Sequence, residues 1–161
     1  MPHIKPLATE GNSYFRILGC LPNVAAGWKS LDAELRFGGS LDPELKEHVR
    51  RSMALGVGCE FCATLGGPPP ETLDPKVALG VAYAQALIDD HRHLDPSLFD
   101  VLRTEFADAE IVELTMWICF MIAGQMFGAV MDVGPATEED IEDFRQGLVA
   151  GAQRHASPTD R

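Results

Sequence analysis

The chain has 161 residues, 46% of them apolar, and a formal net charge of −11. That length suits one domain, the apolar share supports a packed core rather than disorder, and the charge opposes binding to phosphate backbones. The densest basic cluster, Lys46, Arg50 and Arg51, is diluted by Glu44 and Glu47, so no nucleic-acid footprint is expected.

Residues 1–11 carry His3, Lys5 and Glu10 but no continuous apolar run, so they do not read as a signal peptide. A cytoplasmic location is therefore expected, where stable structural disulfides are rare. Cys20 and Cys119 stand alone in apolar surroundings and are expected in the core, as small hydrophobes. Composition divides the chain into an N-terminal arm over 1–19, a helical domain over 20–152 and a polar tail over 153–161.

The first predicted helix covers 22–37, where Leu21, Val24, Ala25, Trp28, Leu31 and Leu35 recur at helical spacing until Gly38-Gly39 ends it. The second begins with Asp42 as N-cap and Pro43 at the first helical position, and runs to about Leu55. On it, Glu47 shares a side with Arg51 and Ala54; periodicity alone reads it as a solvated partner of Arg51. Gly56 and Gly58 then break the helix, and Cys59 opens a short one that the run from Gly66 to Pro70 must stop. The start of a helix carries unpaired N–H groups and partial positive charge, which favour a thiolate.

A helix from Asp74-Pro75 to about Asp89 follows, then a polar connector holding His91 and His93. With no further spaced ligands, those histidines read as solvated rather than metal-binding. Asp95-Pro96-Ser97 starts a helix to about Phe106. The helix predicted over 109–133 is the most apolar stretch, and Gln125 is its only strongly polar side chain between Leu114 and Met131. Its flanks, Glu110, Glu113 and Asp132, are the wrong chemistry for a membrane span, so a core or subunit interface is expected. Gly124 and Gly128 would let a neighbouring backbone approach closely. The last helix, over 137–152, opens with Thr137 and Asp140 spaced as a capping box. No strand alternation occurs, so the expected fold is all-α, with six to seven helices.

The chemistry centres on Cys59-Glu60-Phe61-Cys62. Two thiols at this spacing admit three readings: a redox dithiol, half of a zinc site, or two cysteines packed in a helix. No second Cys-x-x-Cys or spaced histidine pair completes a zinc site.

The segment Leu41-Asp42-Pro43-Glu44-Leu45-Lys46-Glu47, followed by Cys59-Glu60-Phe61-Cys62, resembles the carboxymuconolactone decarboxylase / AhpD-like alkylhydroperoxidase family. So does the stretch from Phe99 to Thr115, and together they span most of 20–133. The resemblance implies an all-α, cofactor-free protein without a metal, assembled as a trimer or hexamer, with a dimer as the smaller alternative. It implies peroxiredoxin-like reduction of hydroperoxides, with Cys62 attacking, Cys59 resolving, Glu47 relaying the proton and an external thiol or dithiol as reductant. The decarboxylase branch implies an alternative, a cofactor-independent lyase or hydrolase acting on a small organic acid or lactone. The chain departs from the family pattern at Gly66, where a relay histidine usually stands, and at Phe61 between the cysteines. Glu47 would then have to serve Cys62 directly or through water, or His48, His91 or His93 would have to supply the missing relay.

Overall fold

The structure, a computed structural model, describes residues 2–6, 11–66 and 72–156. Among these residues there are eight helices and no strand, so the fold is all-α. In chain order they are α1 (Ser13–Leu18), α2 (Pro22–Phe37), α3 (Pro43–Val57), α4 (Glu60–Thr64), α5 (Pro75–Asp90), α6 (Ser97–Leu102), α7 (Asp108–Val130) and α8 (Glu138–Ala156).

The caps form where the sequence signals them. Asp42 accepts the Glu44 N–H and Asp74 accepts the Lys76 N–H, each with proline next in the chain. At α8, Thr137 N–H donates to Asp140 and Asp140 N–H donates back to Thr137 Oγ1, a reciprocal capping box.

Several expectations are corrected. The predicted arm contains α1, a six-residue helix that buries Tyr14, Ile17 and Leu18. It is held by Asp140, whose carboxylate takes both the N–H and the hydroxyl of Ser13 at 2.9 Å. The helix expected to reach Phe106 ends at Leu102, and α8 extends past the predicted 152 to Ala156. Cys119 is exposed rather than in the core, and Cys20 is only half-buried. Most of the glycine–proline run, residues 67–70, lies outside the described residues, as does the end of the tail.

Two apolar clusters form the core. Leu45, Val49 and Met53 of α3, Tyr83 and Leu87 of α5, and Leu114, Trp117 and Ile118 of α7 make the larger. The smaller gathers Tyr14, Ile17 and Leu18 of α1 around Ala54, Cys59, Phe61, Cys62 and Val133. Trp28 packs against both and stacks on Phe120 at 4.4 Å.

α7 is long and apolar enough, by length and composition, to cross a membrane, yet one side of it lies buried in the core. Its opposite side is exposed and apolar: Val112, Met116, Cys119, Ala123, Met126 and Val130. These alternate at spacings of four and three, the seam of a coiled-coil heptad.

Candidate redox site

α3 ends in a Schellman pattern: Cys59 N–H donates to Ala54 C=O at 2.9 Å and Gly58 N–H to Leu55 C=O at 3.1 Å. Gly58 supplies the left-handed residue this requires, with φ of 84°. The reversal sets Cys59 as N-cap of α4, where its Sγ accepts the Cys62 N–H at 3.2 Å. Cys59 and Cys62 stand 5.2 Å apart at Cα and are joined as a disulfide.

The two sulfurs differ in access. Cys59 is 1% exposed and backs onto Gly128, where a Cβ would fall 2.7 Å from its Sγ. Side chains rather than a backbone make the close approach expected at Gly124 and Gly128: the Trp28 ring at the first and the Cys59 sulfur at the second. Cys62 is 9% exposed and opens on a cavity of about 510 Å³ bounded by α1, α2, α4, α7 and α8. The helix start thus favours negative charge at Cys59, while the cavity reaches Cys62.

Glu47 is not solvated, contrary to the periodicity reading; only 13% of its side chain is exposed. Its carboxylate accepts from Arg50 Nη2 at 2.7 Å, Arg50 Nε at 2.8 Å and Arg36 Nη1 at 3.0 Å, and Arg51 Nε lies 3.6 Å away. Burial raises its pKa, but hydrogen bonds from Arg50 and the charges of Arg50, Arg36 and Arg51 outweigh burial, and the net direction is downward. Arg36 shows the same contest: burial disfavours its charge, while Asp32 and Glu47 more than restore it. Arg50 then reaches the cysteines, donating from Nη1 to Cys62 C=O at 2.8 Å.

Gly66 completes this arrangement. A Cβ there would fall 2.7 Å from Glu47 Oε1 and from Arg50 Nη2. The place a side chain at 66 would occupy is filled by the carboxylate and the guanidinium. His48 contacts Arg51 Nη2 at 3.3 Å and does not line the cavity. His93 is exposed and bonded to Asp90 at 2.7 Å, and His91 is exposed beside it. The structure therefore gathers Glu47, Cys59 and Cys62 around Arg50, and leaves His91 and His93 outside.

Sequence reasoning missed Arg36, Arg50, Tyr14, Trp28 and Phe144 as members of this site. Tyr14 donates to Gly124 C=O at 3.2 Å and stacks on Phe61, and burial together with the Asp32 charge pushes its pKa upward. Arg50 lies over Phe144 at 5.2 Å, and Arg36 over Trp117 at 4.8 Å. Gln125 spans from α7 to α3, its Nε2 donating to Arg50 C=O at 2.8 Å. Its isolation in an apolar helix was the one signal available in the sequence.

Among the described residues, no group of three or more His, Cys, Asp or Glu side chains could hold a metal ion. No protein-family model matches the chain, and no curated protein matches it.

Proposed function

We propose that the protein is a dithiol-dependent, peroxiredoxin-like reductase of organic hydroperoxides, with Cys62 as the attacking thiol. The carrying observation is the asymmetry of the pair: Cys62 meets the cavity while Cys59, bonded to it, is sealed beneath Gly128. In the reduced protein, Cys62 thiolate attacks the terminal oxygen of R–O–O–H. The S–O bond forms, the O–O bond breaks, and R–O⁻ leaves to take up a proton. Cys59 thiolate then attacks the Cys62 sulfur, expelling its oxygen as water with one proton, and closes the disulfide. An external thiol or dithiol returns two electrons and two protons.

Arg50 supports this chemistry as a positive charge beside Cys62, favouring a thiolate there and offsetting charge on the departing oxygen. Glu47, expected as a proton relay, serves in this reading to fix Arg36 and Arg50. A carboxylate held below its ordinary range by three guanidiniums is a weak base. The proton for R–O⁻ comes from cavity water.

The test is thiol-dependent peroxide consumption followed at neutral pH, with Cys62→Ser and Cys59→Ser prepared separately. Cys62→Ser should abolish turnover. Cys59→Ser should form a sulfenic acid at Cys62, trappable with a dimedone probe, without completing the cycle. Unaltered turnover by Cys62→Ser sinks the proposal. The buried guanidiniums at the cavity would also suit a small organic acid, as a cofactor-independent lyase or hydrolase requires. Activity on a lactone or keto acid that survives Cys59→Ser/Cys62→Ser would favour that reading instead.

We further propose that the exposed seam of α7 pairs with a second copy. The seam is symmetric about Met121: Val112 matches Val130, Met116 matches Met126, and Cys119 matches Ala123. An antiparallel copy therefore sets like against like, as a twofold interface demands, and a dimer or a hexamer can be built on it. No charged residue falls between Glu113 and Asp132, so this face joins two chains of formal charge −11 without opposing charges across its centre. Sedimentation should give a multiple of the chain mass, and Met116→Glu/Met126→Glu should give the single chain. Ala123→Cys should allow a disulfide between chains through Cys119; a wild-type chain sedimenting as a monomer overturns the pairing.

A further inference from the structure

We infer that the cavity beside Cys62 is built for an organic acid with an apolar body and one O–H donor, whose hydroperoxide is the substrate, with the O–H received by Gln125. The inference rests on the proposed reductase and adds the chemical class of its substrate.

Three observations carry it. The first is size and surface. About 510 Å³ lies within the range of about 300–1,000 Å³ common for small-molecule sites. Trp28, Phe61, Phe144 and Leu148 give it apolar walls. A small inorganic peroxide would leave those walls unfilled.

The second is charge. The charged residues lining the cavity are four cations, Lys29, Arg36, Arg50 and Arg154, and two carboxylates, Asp32 and Asp143. Asp32 is bound to Arg36, and Glu47 behind the wall holds Arg36 and Arg50. Lys29 and Arg154 lie exposed at the rim, Lys29 over the Phe15 ring at 4.5 Å. Asp143 is exposed as well, so Lys29 and Arg154 leave an excess of one positive charge there, which on a chain of net charge −11 favours an anion.

The third observation is Gln125. It is 2% exposed and lines the cavity, and its Nε2 is committed to Arg50 C=O. Its Oε1 has no hydrogen-bond partner. A buried acceptor without a donor is costly, and a ligand O–H relieves it. A hydroperoxide carries one such proton, on the oxygen that Cys62 attacks. Accepting it would orient the O–O bond while Arg50 faces the departing oxygen.

The test reads binding apart from turnover. Titration calorimetry on the disulfide form would compare three stable stand-ins: para-carboxy-cumyl alcohol, cumyl alcohol, and the methyl ether of the first. The carboxylated alcohol should bind about fivefold more tightly than cumyl alcohol, and Lys29→Gln/Arg154→Gln should remove that preference. It should bind about tenfold more tightly than its methyl ether in the wild type. Gln125→Met should equalise alcohol and ether while both still bind, which a merely structural loss would not do. Equal binding of carboxylated and neutral alcohols, or of alcohol and ether, in the wild type overturns the inference. Measured alongside, equal turnover of carboxylated and neutral cumyl hydroperoxides also overturns it but leaves the reductase standing. Absent turnover with both binding preferences intact removes the reductase and leaves the ligand assignment in place.

Discussion

Lys46 and Glu47 are neighbours on α3, and both are removed from water, but they enter two charge clusters of different character. Lys46 is 0% exposed; its Nζ donates to Leu35 C=O at 2.7 Å and Gly38 C=O at 2.8 Å, and pairs with Glu113 at 2.6 Å. Glu113 in turn accepts from Ser40 N–H and Leu41 N–H, and Trp117 Nε1 donates to Lys46 C=O. This cluster closes the C-terminus of α2 and ties it to α3 and α7. It does not line the cavity beside Cys62, and its charged groups are matched. One residue later, Glu47 joins Arg36, Arg50 and Arg51 at the wall of a cavity, next to the Cys59–Cys62 disulfide and an amide oxygen with no donor. Buried charge by itself thus marks architecture; buried charge beside unspent hydrogen-bonding capacity marks a place prepared for a ligand.

The sharpest way to break this contrast is to remove each charge and read stability and activity separately. Lys46→Met strands Glu113 and uncovers the last carbonyls of α2, so it should cost about 3–5 kcal/mol of stability and lower Tm by about 10 °C. Turnover per folded molecule should be unchanged. Denaturant unfolding and active-site thiol titration on the soluble fraction would check this. If Lys46→Met reduced turnover as well, the cluster would be part of the site.

Glu47→Gln should do the reverse. Arg36 keeps Asp32, so the fold survives, but Arg50 loses its clamp and kcat/KM for peroxide should fall by about 100-fold, as small misplacements at a reacting centre do. Because Glu47 is assigned no proton, the pH profile around neutrality should keep its shape, whereas a true relay carboxylate would reshape it.

How far the sequence reveals each cluster depends on whether its partners share a helix. Asp42, Thr137 and Asp140 announce their helix starts because the capping partner is two or three residues away. The helix of Pro22–Phe37 was legible from spacing to the residue, and the spacing of Cys59 and Cys62 admitted the disulfide that joins them. Glu47 was not legible as buried, because two of its guanidiniums come from its own helix and the third, Arg36, reaches across from α2. Periodicity on α3 sees Arg50 at i,i+3 and Arg51 at i,i+4 as surface partners, but not Arg36. Cys119 misled for the complementary reason: α7 is apolar all round, so composition does not say which side faces the core. α1 is too short, at six residues, to register any periodicity, although Tyr14 sits against the disulfide cluster.

Acid should act on both clusters through stability. Glu113 and Glu47 have pKa values below the ordinary 4.5: burial raises each, and in each case the attached hydrogen bonds and cations outweigh it. Asp140 lies below 3.8 because the N–H and hydroxyl donors of Thr137 and Ser13 overcome its burial. Groups depressed in the fold contribute fully above their unfolded values and lose that contribution as pH falls through the folded ones. Denaturation midpoints should therefore hold from neutral pH down to about 5 and decline below it. Glu113→Gln should flatten part of that decline without affecting turnover at neutral pH. A decline beginning near neutrality would instead point to histidine.

The smallest change offers the finest discrimination. Gly66→Ala would set a Cβ 2.6 Å from Arg51 Cδ and 2.7 Å from both Arg50 Nη2 and Glu47 Oε1. All three contacts are with side chains, so these must move by most of an ångström to reach ordinary contact while the backbone stays. Stability should change by about 1 kcal/mol, the lower end of overpacking costs. If the guanidinium position matters to Cys62, kcat/KM should fall about threefold, with the Cys59–Cys62 disulfide still forming on oxidation. Gly66→His then separates two explanations of the glycine. If the site lacks only a proton relay at this position, an imidazole there would raise turnover. The space is already taken by Arg50 and Glu47, so the imidazole introduced by Gly66→His should instead displace them and lower turnover further than alanine does.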